Sequence, residues 1–417
     1  METPVGASHP SFDGRVLFLS QDAGAMRRQL DGDYITLEEA QPLLDNVSIE
    51  DAVPGLDAVR RGGFAVAVAG HGYGRGATSE THPHAERLAG IRLVIARSFE
   101  RRYRRHCHHL GLLTSTDLGL VDRIRNGEAI AIEEFMRGAD EATAQVIRRG
   151  GLIGFARARL AGGISDAPAS AAIRPMTYAE KILARARAGR RAPVRPGDTL
   201  FARADWRSGP GDVPPLAMHL LEREMGAGVK LHQPRSIAGL ADHAEPGQLV
   251  VGAGVHSAQC GALGALALGV SACEMAMAWL TGEVLLTVPP TCRVRLHGPL
   301  PPGVDASDVV QHLLGREHLR DGRAAGQVIE FSGDALLDMD TGDRATLTAM
   351  AVGLGAFCGL VAPDAGTLAF LRDHRGLPMA LDPWMRSDPD AAFAHTIEVD
   401  CAALETELAN AEASAAS

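Results

Sequence analysis

The chain reads as a layered α/β protein built from more than one domain. Three observations predict this. Its 417 residues exceed what one hydrophobic core usually organises. Its composition, 46% hydrophobic and 22% charged, is that of a folded globular protein. Short apolar runs alternate along it with stretches of helical periodicity. Aromatic residues make up only 4% while glycines number 47, so the cores are expected to pack small aliphatic side chains and closely approaching backbone.

The first unit carries apolar runs at 16–19, 64–68 and 91–95 that read as strands, with residues 85–89 on a helix between the last two. The stretch 162–175, GGISDAPASAAIRP, is small, proline-containing and without apolar period, so the domain boundary is placed there: one domain at 1–163 and a linker at 164–175. A second domain, 176–404, opens with MTYAEKILARARA at 176–188, a helix with Thr177 as cap and Glu180 three residues on. It continues through strands at 249–251 and 293–296. The alanine-rich segment 260–280 is apolar on most faces and predicts one buried helix. The tail, 405–417, is expected to fray.

A net charge of -10 argues against a nucleic-acid partner, because non-specific affinity for phosphate backbones needs clustered Lys and Arg. No apolar run is long enough for a membrane span, and residues 1–14 have no leader-like pattern, so the expected location is the cytoplasm. The six cysteines (Cys107, Cys260, Cys273, Cys292, Cys358, Cys401) are scattered, which predicts neither a disulfide framework nor a zinc ribbon. The group His106, Cys107, His108 and His109, with His82 and His84 upstream, invites a metal reading. Helix neighbours at i and i+1 point apart and the run 101–105 is basic, so a solvated helix face or an interface is expected instead. The loop 70–76, GHGYGRG, is a weak phosphate-cradle signal.

Longer runs carry a resemblance. GRGATSETHPHAERLAGIRLVIARSF at 74–99 is similar, without a gap, to the small-subunit or swivel segment of isopropylmalate dehydratase, G-S-S-R-E-H-A before a helix and V-I-A-x-S-F. MTYAEKIL, the Pro215, Leu216, Ala217 landmark and GAGVHSAQCGALGALALG at 252–269 resemble the large subunit of the same aconitase and isopropylmalate dehydratase superfamily. So do 293–304, 328–333 and 356–364. The resemblance implies an aconitase-like α/β fold, a swivel β/β/α domain fused ahead of a truncated, larger three-layer α/β domain, and a small carboxylic acid as substrate. It also assigns the glycine loop to shaping a substrate face.

The departures shape the functional expectation. The family holds its iron–sulfur cluster through G-S-C-T-N-S and CxxC motifs, neither of which this chain contains, so no cofactor is expected. The family's S-S-R is here Ala77, Thr78 and Ser79, and its His-Asp pair before P-L-A is Pro210 and Gly211. His256 and Glu330 stand at retained proton-handling positions, and His232 in GVKLHQ matches a family histidine. Glu330 beside His256 would fix the imidazole tautomer and raise its basicity. The expected catalytic set is His256, Glu330, His232 and Thr78, with His71, Arg75, Ser79 and Ser257 holding substrate. The expected activity is a cluster-independent lyase or isomerase acting on a small organic acid between the domains, in specialised metabolism. The alternative is a non-catalytic small-acid-binding or partner protein. Homo-oligomer formation is left open.

Overall fold

The computed structural model describes residue 12, residues 15–22, 25–30, 33–35, 59, 62–74, 80–165, 173–189, 191–209, 215–226, 229–232, 244–252, 255–316, 319, 322 and 324–404. Two compact units emerge, interleaved along the chain. The first comprises Met1–Ser165, Met218–Val229 and Ser271–Met277; the second comprises Asp166–Ala217, Lys230–Val270 and Ala278–Ser417.

In the first unit, β1 (Arg15–Asp22), β2 (Ala25–Leu30), β3 (Asp33–Ile35), β4 (Phe64–Ala69), β5 (Leu93–Ala96) and β6 (Leu113–Ser115) form one sheet in the order β3-β2-β1-β4-β5-β6. The β1, β2 and β3 pairings are antiparallel, and β1, β4, β5 and β6 run parallel. β4 is buried at every position because both sheet faces are covered. The two-residue period sends Ala67, Ala69, Val94 and Ala96 to one side, against Ala85, Ala89, Tyr103 and Cys107 of helices Thr81–Leu88 and Arg101–Leu110. It sends Val66, Val68, Leu93 and Ile95 to the other side, against Leu120, Val121, Phe135 and Ile147. Helix Arg101–Leu110 is capped by the Glu100 carboxylate, which accepts from the Tyr103 amide at 2.8 Å. It stops at Gly111, whose φ of 76° is left-handed.

The second unit contains β7 (Thr199–Arg203), β8 (Trp206–Arg207), β9 (Leu249–Gly252), β10 (Leu266–Gly269), β11 (Glu283–Thr287), β12 (Thr291–His297), β13 (Val328–Ser332), β14 (Cys358–Val361) and β15 (His395–Asp400). Among the described residues they make a parallel sheet β10-β9-β8, an antiparallel pair β11-β7 and a parallel sheet β14-β13-β12-β15. On one face of the last sheet Val294, Ile329, Phe331, Val361 and Val399 build the core with helices Ala306–Gly315 and Thr341–Met350. Glu330, in register with Arg293 and Leu360, lies on the opposite face. The protein is a mixed α/β fold with parallel sheets.

The strands expected at 64–68, 91–95, 249–251 and 293–296 appear as β4, β5, β9 and β12. The helix expected from 176 runs Tyr178–Ala186 and starts with the Thr177 and Glu180 capping box. The single helix expected over 260–280 is corrected. That segment is a 3-10 turn Gln259–Leu263, then β10, then helix Ala272–Thr281. Gly264 ends the turn at a φ of 78°, and the Tyr178 hydroxyl donates to its carbonyl at 2.7 Å. Most positions of all three pieces are buried, so apolar residues occupy most faces and the period carries little information about type. The tail and residues 166–172 of the expected linker lie outside the described residues. No helix among the described residues is long and apolar enough to cross a membrane.

Candidate active site

Glu330 is the best-defined of the expected catalytic groups. It sits mid-strand in β13 and is only 4% exposed. Ser387 donates its hydroxyl to the carboxylate, with Oγ 2.6 Å from Oε1 and 2.9 Å from Oε2. The Tyr178 backbone N–H donates to the same Oγ at 2.7 Å. Burial pushes the Glu330 carboxyl above its ordinary range, opposed by the Ser387 hydroxyl, the Tyr178 amide and the charges of Arg293 and Lys181. Such a group holds its proton more firmly than a solvated carboxylate does. Ser387 had no motif to announce it, because it lies 57 residues beyond Glu330 in an irregular segment.

Also in the second unit, Ser257 is 3% exposed on the short helix Val255–Ala258. It crowds the end of β9 together with Ser208. A Cβ at Gly252 would lie 2.6 Å from Ser257 Cβ and 2.7 Å from Ser208 Oγ, so only glycine lets both hydroxyls approach the strand end. His256 belongs to the same short helix, and its side chain lies outside the described residues. His232 is exposed; its amide donates to the Trp279 carbonyl at 2.7 Å, and its carbonyl accepts from Arg207 Nε at 3.0 Å. Its backbone is therefore held, and its ring lies beside Gly282, where a Cβ would come 3.4 Å from Nδ1.

His71 lies in the first unit, exposed in the turn after β4. Arg75, Thr78 and Ser79 lie outside the described residues. The described residues on either side, Gly74 and Glu80, are closely packed. Gly74 has a φ of 88° and a Cβ there would sit 2.2 Å from the Tyr103 ring. Glu80 is 5% exposed and accepts from the amides of Ala272 and Cys273 at 2.6 and 3.1 Å. Close by, the buried Glu86 accepts from the hydroxyls of Tyr73, at 2.6 Å, and Tyr103. His82 Nε2 is 3.9 Å from the Glu86 carboxylate.

The expected solvated histidine face is corrected. His106 and His108 are 5% and 9% exposed, on the same buried side of their helix as Tyr103 and Cys107, while Arg101, Arg102 and Arg105 face water. His82 and His84, at 6% and 1% exposed, are interior as well. The basic run favours a solvated face, yet three arginines suffice to wet one side of the helix while the histidines lie on the other. Desolvation lowers His84 to about 4, aided by His219, Arg87 and Arg223, and lowers His108 to about 3, aided by Arg104 and His109. Among the described residues no three His, Cys, Asp or Glu side chains are grouped to hold a metal ion.

An iron–sulfur cluster needs cysteines that converge as thiolates. All six are free and buried. Burial raises Cys260, Cys292 and Cys401 to about 11 and Cys358 to about 12, and holds Cys107 and Cys273 well above the ordinary thiol range. The six lie inside cores, and among the described residues no three of them are grouped to converge on a metal ion.

Two family models match the chain. The Aconitase family (aconitate hydratase) matches residues 218–415, and the Aconitase C-terminal domain matches residues 33–116. A probable 3-isopropylmalate dehydratase large subunit from Methanothermobacter thermautotrophicus is 38% identical over 167 residues, which is 40% of this chain and 39% of that one. A 3-isopropylmalate dehydratase large subunit from Pyrococcus furiosus is 30% identical over 280 residues, 56% of this chain and 64% of its own length. A probable methanogen homoaconitase large subunit from Methanosarcina mazei is 36% identical over 186 residues, 45% of each chain. The chain thus spans less than two thirds of each of these relatives. A crystal structure of 3-isopropylmalate dehydratase from Methanocaldococcus jannaschii is 22% identical, with a TM-score of 0.18, over 24% of this chain and 66% of that one. Over these segments, and with a mixed α/β build and parallel sheets, the chain is similar to members of the aconitase superfamily.

Proposed function

We propose that this chain is an aconitase-like lyase or isomerase that acts on a small organic acid without an iron–sulfur cluster, in a specialised pathway. In this reading residues 1–163 are a swivel-type domain, 164–175 a linker and 176–404 a large-subunit-type domain. The order of the two family matches supports the fusion. The separated, buried thiols support the cluster-free site.

The observation that carries the reading is the buried Glu330 carboxyl, biased toward holding a proton and gripped by an oriented hydroxyl. Glu330 and His256 handle the proton that leaves with the substrate hydroxyl. Thr78 or His71 takes the proton from carbon, the C–H electron pair forms the double bond, and the hydroxyl departs as water. Arg75, Ser79 and Ser257 hold the carboxylates, and His232 assists proton transfer. Without a Lewis acid on the leaving hydroxyl, the substrate needs an acidic C–H or a good leaving group.

The test is an assay of the whole protein against α- and β-hydroxy dicarboxylates and tricarboxylates, followed by the ultraviolet absorbance of the unsaturated product. Glu330→Gln should lower turnover by about 100-fold or more with little change in ligand affinity, the size expected on losing a general acid–base group. Full turnover in that variant overturns the assignment. A second reading, a non-catalytic acid-binding protein, is favoured by the same residue's 4% exposure and its engagement by Ser387, which also suit a packing role. Calorimetry that detects acid binding by wild-type protein, with no conversion of any acid, would select it.

A further inference from the structure

Ser387 sits at the meeting point of a helix start and a buried carboxylate. Tyr178 is the first residue of helix Tyr178–Ala186, where backbone N–H groups lack carbonyl partners within the helix and the positive end of its dipole lies. That N–H donates to Ser387 Oγ at 2.7 Å, occupying an oxygen lone pair. The hydroxyl has a single proton, and Oγ is 2.6 and 2.9 Å from the two Glu330 oxygens. The amide thereby fixes the hydroxyl as a donor toward Glu330.

The segment around Ser387 is bolted down independently. Lys181 Nζ donates to Asp388 Oδ1 at 2.6 Å and to the Arg386 carbonyl at 2.7 Å. The Met176 amide donates to Asp388 Oδ2 at 2.8 Å, and the Asp388 amide returns a bond to the Met176 carbonyl at 3.0 Å. Arg185 lies over the Trp384 ring, 3.9 Å from its centroid. Trp384 in turn packs near Tyr178, with ring centroids 6.2 Å apart. A serine held from both sides in this way keeps one geometry.

We infer that Ser387 is a positioning residue that sets the charge state of Glu330 by relaying the start of helix Tyr178–Ala186 to its carboxylate. A donor aimed at a carboxylate favours its ionised form, so Ser387 works against burial. Arg293 on β12 and Lys181 on the helix act in the same direction through their charge, and Leu360 of β14 adds none. The role in proton transfer rests on the proposed function; the control of charge does not.

The experiment is an infrared pH titration of the whole protein, following the carbonyl stretch of protonated carboxyls, with Glu330→Gln identifying the Glu330 band. Ser387→Ala should move the midpoint of that band upward, and Ser387→Thr, which keeps the hydroxyl, should leave it near the wild-type value. Should Ser387→Ala fail to fold, Ser387→Cys, with its weaker donor, should move the midpoint in the same direction by less. An unchanged midpoint in Ser387→Ala, or in Ser387→Cys where that variant is needed, overturns the inference. In an active protein the acidic limb of the rate profile should follow the same shift. If the band shifts while Glu330→Gln keeps full turnover, the charge relay stands and the catalytic reading of Glu330 fails.

Discussion

Each unit buries a group whose protonation burial disturbs, histidines in the first and a carboxyl in the second, and these groups respond oppositely to acid. The first unit encloses His84 and His108, which desolvation lowers from 6.5 to about 4 and about 3. The second encloses Glu330, which desolvation raises above 4.5. A buried neutral histidine binds fewer protons folded than unfolded, so its contribution to stability is lost as pH falls from about 6.5 through its folded value. A buried carboxyl with a raised value binds more protons folded than unfolded. Its contribution is present at low pH and lost as pH rises through the folded value. Burial is therefore not one effect, since its sign depends on whether the neutral form is the acid or the base.

The largest expected effect follows from that contrast. Acidification from about pH 6.5 to 4 should open the first unit, with His84 alone costing about 3 kcal/mol once fully expressed. Hydrogen exchange of residues 101–110 and 328–332, read by mass spectrometry, reports the two units separately. The chain's three tryptophans, Trp206, Trp279 and Trp384, all belong to the second unit, so their emission should stay native while the first unit opens. Simultaneous loss of protection in both units would break the comparison.

A smaller effect tests the second unit alone. Arg344 is 4% exposed and reaches both Asp364 oxygens at 2.8 and 2.7 Å and the Leu336 carbonyl at 2.6 Å. Arg344→Met leaves Asp364 without its cation and should cost about 3 kcal/mol. Tryptophan emission during thermal unfolding measures this, and a loss below about 1 kcal/mol would mean that solvent replaces the arginine. The smallest effect is at Thr177, whose hydroxyl accepts from the Glu180 amide at 3.3 Å. Thr177→Ala should cost about 1 kcal/mol through the lost cap, without altering exchange at residues 101–110.

Local signals were legible where their cause is local. The Thr177 and Glu180 box and the apolar strand at 64–69 are written in neighbouring residues, and they appear where expected. The segment 259–281 was not legible as three elements, because burial of most positions weakens the contrast between faces that periodicity needs. Glu330 could be picked out by family resemblance, but Ser387 could not, since their meeting depends on a segment that crosses back 57 residues later. The buried histidines were obscured by the arginines beside them. Net composition of a helix hides which of its faces is wet.

Glu80 has a consequence for how the protein is made. Its carboxylate is satisfied by the amides of Ala272 and Cys273, which lie 192 and 193 positions later in the chain. The first unit also draws in Met218–Val229 and Ser271–Met277. During translation, which runs from the N-terminus, the loop end at Glu80 must stay hydrated until the ribosome has passed residue 277. The first unit therefore cannot be completed by residues 1–165 alone, and nascent chains halted before residue 277 should expose an incomplete first unit to chaperones.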